Sequence, residues 1–76
     1  MYPTKLIAVA IDDENTALES LSNMLATFFS DSIELIATEN KFDEGLLLVE
    51  RIRPEVLFLD VDLDRTRSGF DFLKAL

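Results

Sequence analysis

The sequence predicts an α/β fold built on a parallel sheet, and three observations predict it. Short apolar runs alternate with stretches of helical periodicity in the order β-α-β-α-β-α. The first run, Leu6-Ile-Ala-Val-Ala-Ile11, is continuous rather than alternating, which suits a strand covered on both faces. The connections are short, so each strand–helix–strand unit closes by a right-handed crossover.

The first strand stops at Asp12-Asp13-Glu14-Asn15. Leu18, Leu21, Leu25 and Phe28, with Ala17 and Met24 beside them, then recur at helical spacing. They predict an amphipathic helix over about residues 14–29 with acids in its first turn, where the helix dipole favours them. Ser30-Asp31-Ser32 reads as a turn, and residues 33–37 as a second strand. Asn40 is placed to cap the next helix, with Asp43 three residues on. That helix runs to about Arg53, where Pro54 stops it. Its Leu46-Leu-Leu-Val49 run is apolar nearly all round, which predicts cover on more than one side. Val56-Leu-Phe-Leu59 is the third strand and ends at Asp60. After a charged loop, Ser68 caps a last helix, with Asp71 completing a capping box. The Leu and Phe stripes read as core, and Arg65 and Arg67 as a solvated loop face that offsets nearby acids.

A length of 76 residues holds one domain at most. Seven basic against fifteen acidic residues give a net charge of −8, which works against direct binding to nucleic acid or to an anionic membrane. With no Cys and no His, disulfides, thiolate chemistry, imidazole acid–base chemistry and His- or Cys-based metal sites are excluded. The opening Met-Tyr-Pro-Thr-Lys leads into only six apolar residues, too few for a secretory signal or a spanning helix, so a cytoplasmic location is expected. Carboxylate chemistry is what remains.

In open α/β sheets, ligands bind beyond the carboxyl ends of the strands, where strand order reverses. Strand one ends in Asp12-Asp13 and strand three in Asp60. If these strands are neighbours, three carboxylates meet at one edge and raise each other's pKa unless a cation neutralises them. Oxygen-only ligands suit a hard divalent ion, and Mg²⁺ takes a few carboxylates while keeping several waters. An acidic run at a helix start also serves as a cap, and an Asp at a strand end as a turn residue. Both acidic sites, each at the end of a buried strand, point instead to a Mg²⁺-dependent site suited to phosphoryl chemistry.

These residues resemble the receiver domain of two-component response regulators. The resemblance rests on the acidic pair in Ile11-Asp-Asp-Glu14, on Leu57-Phe-Leu-Asp60, on the interval between them, and on the Gly69-Phe-Asp-Phe-Leu73 stretch. It implies a flavodoxin-like parallel sheet of strand order 2-1-3-4-5. Asp60 would accept a phosphoryl group from a sensor histidine kinase. Asp13 would bind Mg²⁺ directly, Asp12 mainly through a water, and Asp62 through its backbone carbonyl. The role would be that of a regulatory phosphoacceptor rather than an enzyme. Ala10-Ile-Asp-Asp-Glu14 with Ala17-Leu18 further resembles regulators with a LytTR-type DNA-binding output.

The loop departs from the family in lacking the Pro that usually follows the acceptor, and it is one residue longer before Gly69. Against the family pattern, residues 1–76 are expected to form the N-terminal portion of a receiver, with the fourth and fifth strands and their helices absent. That would leave the third strand as an edge, and a homodimer through this strand or the last helix is expected. Other readings of the same residues are open. Phe58-Leu-Asp-Val-Asp-Leu63 resembles the Asp-x-Asp strand end of haloacid-dehalogenase-type phosphatases, although Asp64 stands where Thr or Val is usual. Asp60, Asp62, Asp64 and Asp71 fall at the spacing of a Ca²⁺ loop, with Arg65 where Gly belongs and Asp71 where Glu does. The chain could also serve as an interaction piece without chemistry.

Overall fold

A computed structural model of the chain describes residues 5–76. The opening residues 1–4, read above for targeting signals, lie outside them. Six elements follow in order: β1 (Leu6–Ile11), α1 (Asn15–Phe28), β2 (Ile33–Glu39), α2 (Phe42–Ile52), β3 (Val56–Leu59) and α3 (Gly69–Ala75). The three strands form one parallel sheet in the order β2-β1-β3. This is the open, alternating α/β arrangement that the apolar runs predict.

β1 occupies the centre because it is the strand that can be covered on both faces. Ala8, Val9, Ala10 and Ile11 are all buried. Val9 and Ile11 meet Phe42 and Val49 of α2, Phe72 of α3 and Leu63 in one cluster. Leu57 and Leu59 of β3 pack against that cluster, while Phe58 lines a groove with Ala10 and with Ala17, Leu18 and Leu21 of α1. Side chains therefore alternate between a face covered by α2 and α3 and a face covered by α1. The two outer strands show their position in their burial. β2 alternates between half-buried and exposed residues, and β3 is half-buried throughout.

Several expectations need correction. Helix α1 starts at Asn15, so Glu14 sits at the cap position with extended backbone, makes no side-chain cap bond, and leaves the first turn without an acid. Phe28 belongs to the apolar stripe expected in the core but is 75% exposed, and α1 buries only Leu18 and Leu25. Phe29 and Phe70 are exposed as well. β2 keeps pairing with β1 as far as Glu39, two residues beyond the expected end, and this moves the α2 cap from Asn40 to Lys41. The Asn40 side-chain Nδ2 instead donates to Asn15 Oδ1 at 3.0 Å and ties the start of α1 to the β2–α2 turn. Within α2, Leu46 and Leu48 pack against the core cluster, while Leu47 is 62% exposed on the outer side.

The α3 start matches its sequence signal. Ser68 Oγ accepts from the Asp71 amide at 3.2 Å, and Asp71 Oδ2 accepts from the Ser68 amide at 2.8 Å. Both halves of a capping box are present. α2 ends at Arg53 in the left-handed region (φ 51°), its amide still bonded to the Val49 carbonyl, and Pro54 then prevents continuation.

Candidate metal and phosphoryl site

The register of the sheet builds the site. Ile11 of β1 lies opposite Leu59 of β3, so the next residues, Asp12 and Asp60, emerge side by side. The ladders run one residue past the strands: the Asp60 amide donates to the Ile11 carbonyl and the Asp12 amide to the Glu39 carbonyl, each at 3.1 Å. The backbone under both carboxylates is thus held by the sheet, at the carboxyl edge where strand order reverses. Carboxylate oxygens of Asp12, Asp13 and Asp60 all lie within 4.8 Å of one another. Asp62 lines the same hollow, with Glu14, Asp64 and Arg65, but its carboxylate is not part of the close group. The hollow encloses about 530 Å³ and is open to solvent.

Electrostatics follow from this crowding. Burial raises the Asp12 carboxyl above its ordinary 3.8, and the neighbouring charges of Asp60 and Asp13 push the same way. The Glu14 amide, donating to Asp12 Oδ1 at 3.0 Å, opposes them. A donor set made only of carboxylates, with mutual distances that fit around one ion, suits a hard divalent cation such as Mg²⁺. Asp12, Asp13 and Asp60 are the residues that would hold it.

The loop from Asp60 to Ser68 explains how the chain manages without the expected Pro. Asp64 Oδ1 accepts from the Thr66 amide (2.9 Å), the Thr66 hydroxyl (3.1 Å) and the Arg67 amide (2.7 Å), an Asx-type turn that closes the loop without Pro. These donors hold the Asp64 carboxyl below its ordinary value, the Thr66 amide foremost. Leu63 is buried in the core cluster and anchors the loop from below. Arg67 corrects the reading of a solvated face. Its Nη1 lies 3.0 Å from Asp43 Oδ1, its Nη2 lies 3.4 Å from Asp64 Oδ2, and its guanidinium carbon sits 4.0 Å from the centroid of Phe42. Phe42 in turn meets Phe72 edge to face at 5.4 Å. The loop is therefore pinned to the start of α2.

One open reading loses its ligands to this loop. A Ca²⁺ loop needs Asp64 and Asp71 as ligands, but Asp64 closes its own turn and Asp71 caps α3. The Asp-x-Asp reading pairs Asp60 with Asp62, whereas the close group pairs Asp60 with Asp12 and Asp13.

Gly69 is a site residue that its role as helix opener did not reveal. A Cβ there would lie 2.5 Å from the Asp60 carbonyl oxygen and 3.2 Å from Val61 Cα. The Gly69 amide donates to the Val61 carbonyl at 2.7 Å. Only a residue without a side chain lets α3 start this close to the Asp60 peptide. No positive φ signals it; the close approach is purely tertiary.

No family model matches the chain. A protein of Vibrio cholerae serotype O1, named as an uncharacterized response regulatory protein, is 38% identical over 71 residues. Those residues are 93% of this chain and 29% of the relative, so the chain spans less than a third of the protein it matches. Among the described residues, no helix is long and apolar enough to cross a membrane. Together with the acidic group at the carboxyl edge of a β2-β1-β3 sheet, the likeness supports a relationship to the response-regulator family.

Proposed function

We propose that Asp60 accepts a phosphoryl group from a sensor histidine kinase in a two-component pathway, with Mg²⁺ held by Asp12, Asp13, Asp60 and the Asp62 carbonyl. One observation carries the reading: the Asp60 carboxylate at the end of β3 lies within 4.8 Å of those of Asp12 and Asp13, in a chain similar to a response regulatory protein. A carboxylate oxygen of Asp60 attacks phosphorus, the bond from phosphorus to the donor breaks with its electron pair leaving on the donor, and an acyl phosphate forms. Bound Mg²⁺ would offset the charge that accumulates between acceptor and phosphoryl oxygens. Asp12 and Asp13 would hold the ion in place, and the Asp60 amide bond to the Ile11 carbonyl fixes the nucleophile's backbone. The role is regulatory, the setting cytoplasmic, and a LytTR-type output belongs to the same reading. A second copy is a further partner in this reading, met through β3 or through the exposed Phe70 and Leu73 of α3.

Incubation with acetyl phosphate and Mg²⁺, followed by intact-mass measurement, tests the assignment. One phosphoryl adduct, dependent on Mg²⁺ and lost in Asp60→Asn, is expected. An adduct that persists in Asp60→Asn contradicts it.

A further inference from the structure

The hollow around Asp60 is lined by six carboxylates and one guanidinium, that of Arg65. A phosphoryl group carries nearly two negative charges at neutral pH, so its approach to such a lining is opposed. A single divalent cation leaves the lining strongly negative. The two arginines of the loop, two residues apart, are used differently. Arg67 is committed to Asp43, Asp64 and the Phe42 ring. Arg65 is exposed, and among the described residues it forms no ion pair with any acid of the lining it shares. Its neighbour Asp64 is occupied by the Thr66 and Arg67 amides, and this fixes the turn from which Arg65 projects.

We infer that Arg65 receives the anionic oxygens of the incoming phosphoryl group at Asp60, a catalytic role that rests on the phosphoacceptor reading above. The guanidinium is always charged and presents a planar fork that matches two phosphoryl oxygens. In transfer to an oxygen nucleophile, charge is spread over the three equatorial phosphoryl oxygens, and Arg65 neutralises part of it while the donor leaves with its electron pair. The ligand class is therefore a small dianionic phosphoryl donor or the phosphoryl group of a phosphohistidine.

The test separates this role from a structural one by the sign of two readouts. Arg65→Gln removes a positive charge from an acidic hollow, so Mg²⁺ binding, titrated without donor, should tighten or stay unchanged. The rate of adduct formation with acetyl phosphate at saturating Mg²⁺ should nevertheless fall about tenfold, less than the roughly hundredfold loss for a buried oxyanion donor because Arg65 is exposed. Arg65→Lys should recover part of the rate. An unchanged rate in Arg65→Gln, or a rate that falls in step with a loss of Mg²⁺ affinity, overturns the inference. If the unsubstituted chain binds Mg²⁺ yet forms no adduct, the phosphoacceptor reading itself fails.

Discussion

The loops after β1 and β3 begin as neighbours on the same sheet edge and are both rich in acids, yet they treat those acids in opposite ways. After β1 only Asp12, Asp13 and Glu14 precede the helix, and Asp12 has one backbone donor against burial and two nearby charges. After β3 the longer loop folds its own amides onto Asp64, and the Ser68 amide and hydroxyl serve Asp71, so both carboxyls are held below their ordinary value. A short connection leaves its carboxylates with a single backbone donor, to Asp12, and open to a cation. A long one uses them as structure. Asp60 sits at the junction, fixed by the β1 ladder on one side and by the close approach of Gly69 on the other.

The largest expected effect comes from forcing the long loop off Asp60. Gly69→Ala puts a methyl group into the Asp60 carbonyl, and overpacking of this kind costs about 2 kcal/mol, read as a lower denaturation midpoint. Gly45→Ala, whose Cβ would meet only side-chain atoms of Ile11 and Phe72 at 3.0–3.3 Å, should cost less, because those atoms can shift and Ala favours the helix. Equal losses would mean that the approach to Asp60 is not special. Next comes the short loop: Asp13→Ala should weaken Mg²⁺ binding roughly tenfold, or about 1.4 kcal/mol by calorimetric titration. Indistinguishable titrations would remove Asp13 from the site.

Ser68→Ala should cost about 1 kcal/mol through loss of the α3 cap. The smallest effect has the opposite sign. Asp12 has a raised pKa in the folded chain, so the stability it contributes is full below about pH 3.8 and is lost as pH rises through the raised value. At neutral pH its charge is a net cost, and Asp12→Asn should raise the melting temperature of the metal-free protein. Asp64 and Asp71 run the other way: their contributions are present above the ordinary carboxylate pKa and are lost as pH falls through the lowered values. A melting temperature that drops in Asp12→Asn would contradict the contrast between the loops.

The strands and their parallel pairing were legible in the sequence, whereas the adjacency of β1 and β3 that brings Asp12, Asp13 and Asp60 together was implied only by the family resemblance. An unbroken apolar run such as Leu6–Ile11 has few alternatives to a central strand, and the residues after two neighbouring strands must emerge together. The Ser68–Asp71 cap was legible for the same reason: it is local. What escaped depends on tertiary neighbours. Periodicity marks Phe28 and Leu47 as apolar-face residues but does not say whether anything lies over them. The Arg67–Phe42 stack joins residues 25 apart, and the need for Gly at 69 arises from the Asp60 peptide rather than from its own φ. The turn built by Asp64 was hidden because the same residue also fitted a cation-ligand spacing.

The central claim is that three carboxylates act as one cation-dependent unit, and its most direct test is the melting temperature at neutral pH with MgCl₂ against NaCl at matched ionic strength. The unsubstituted chain should melt higher in Mg²⁺, and this gain should disappear in both Asp13→Ala and Asp60→Asn. The same gain in all three proteins would contradict the claim, because the ion would then be binding somewhere other than between β1 and β3.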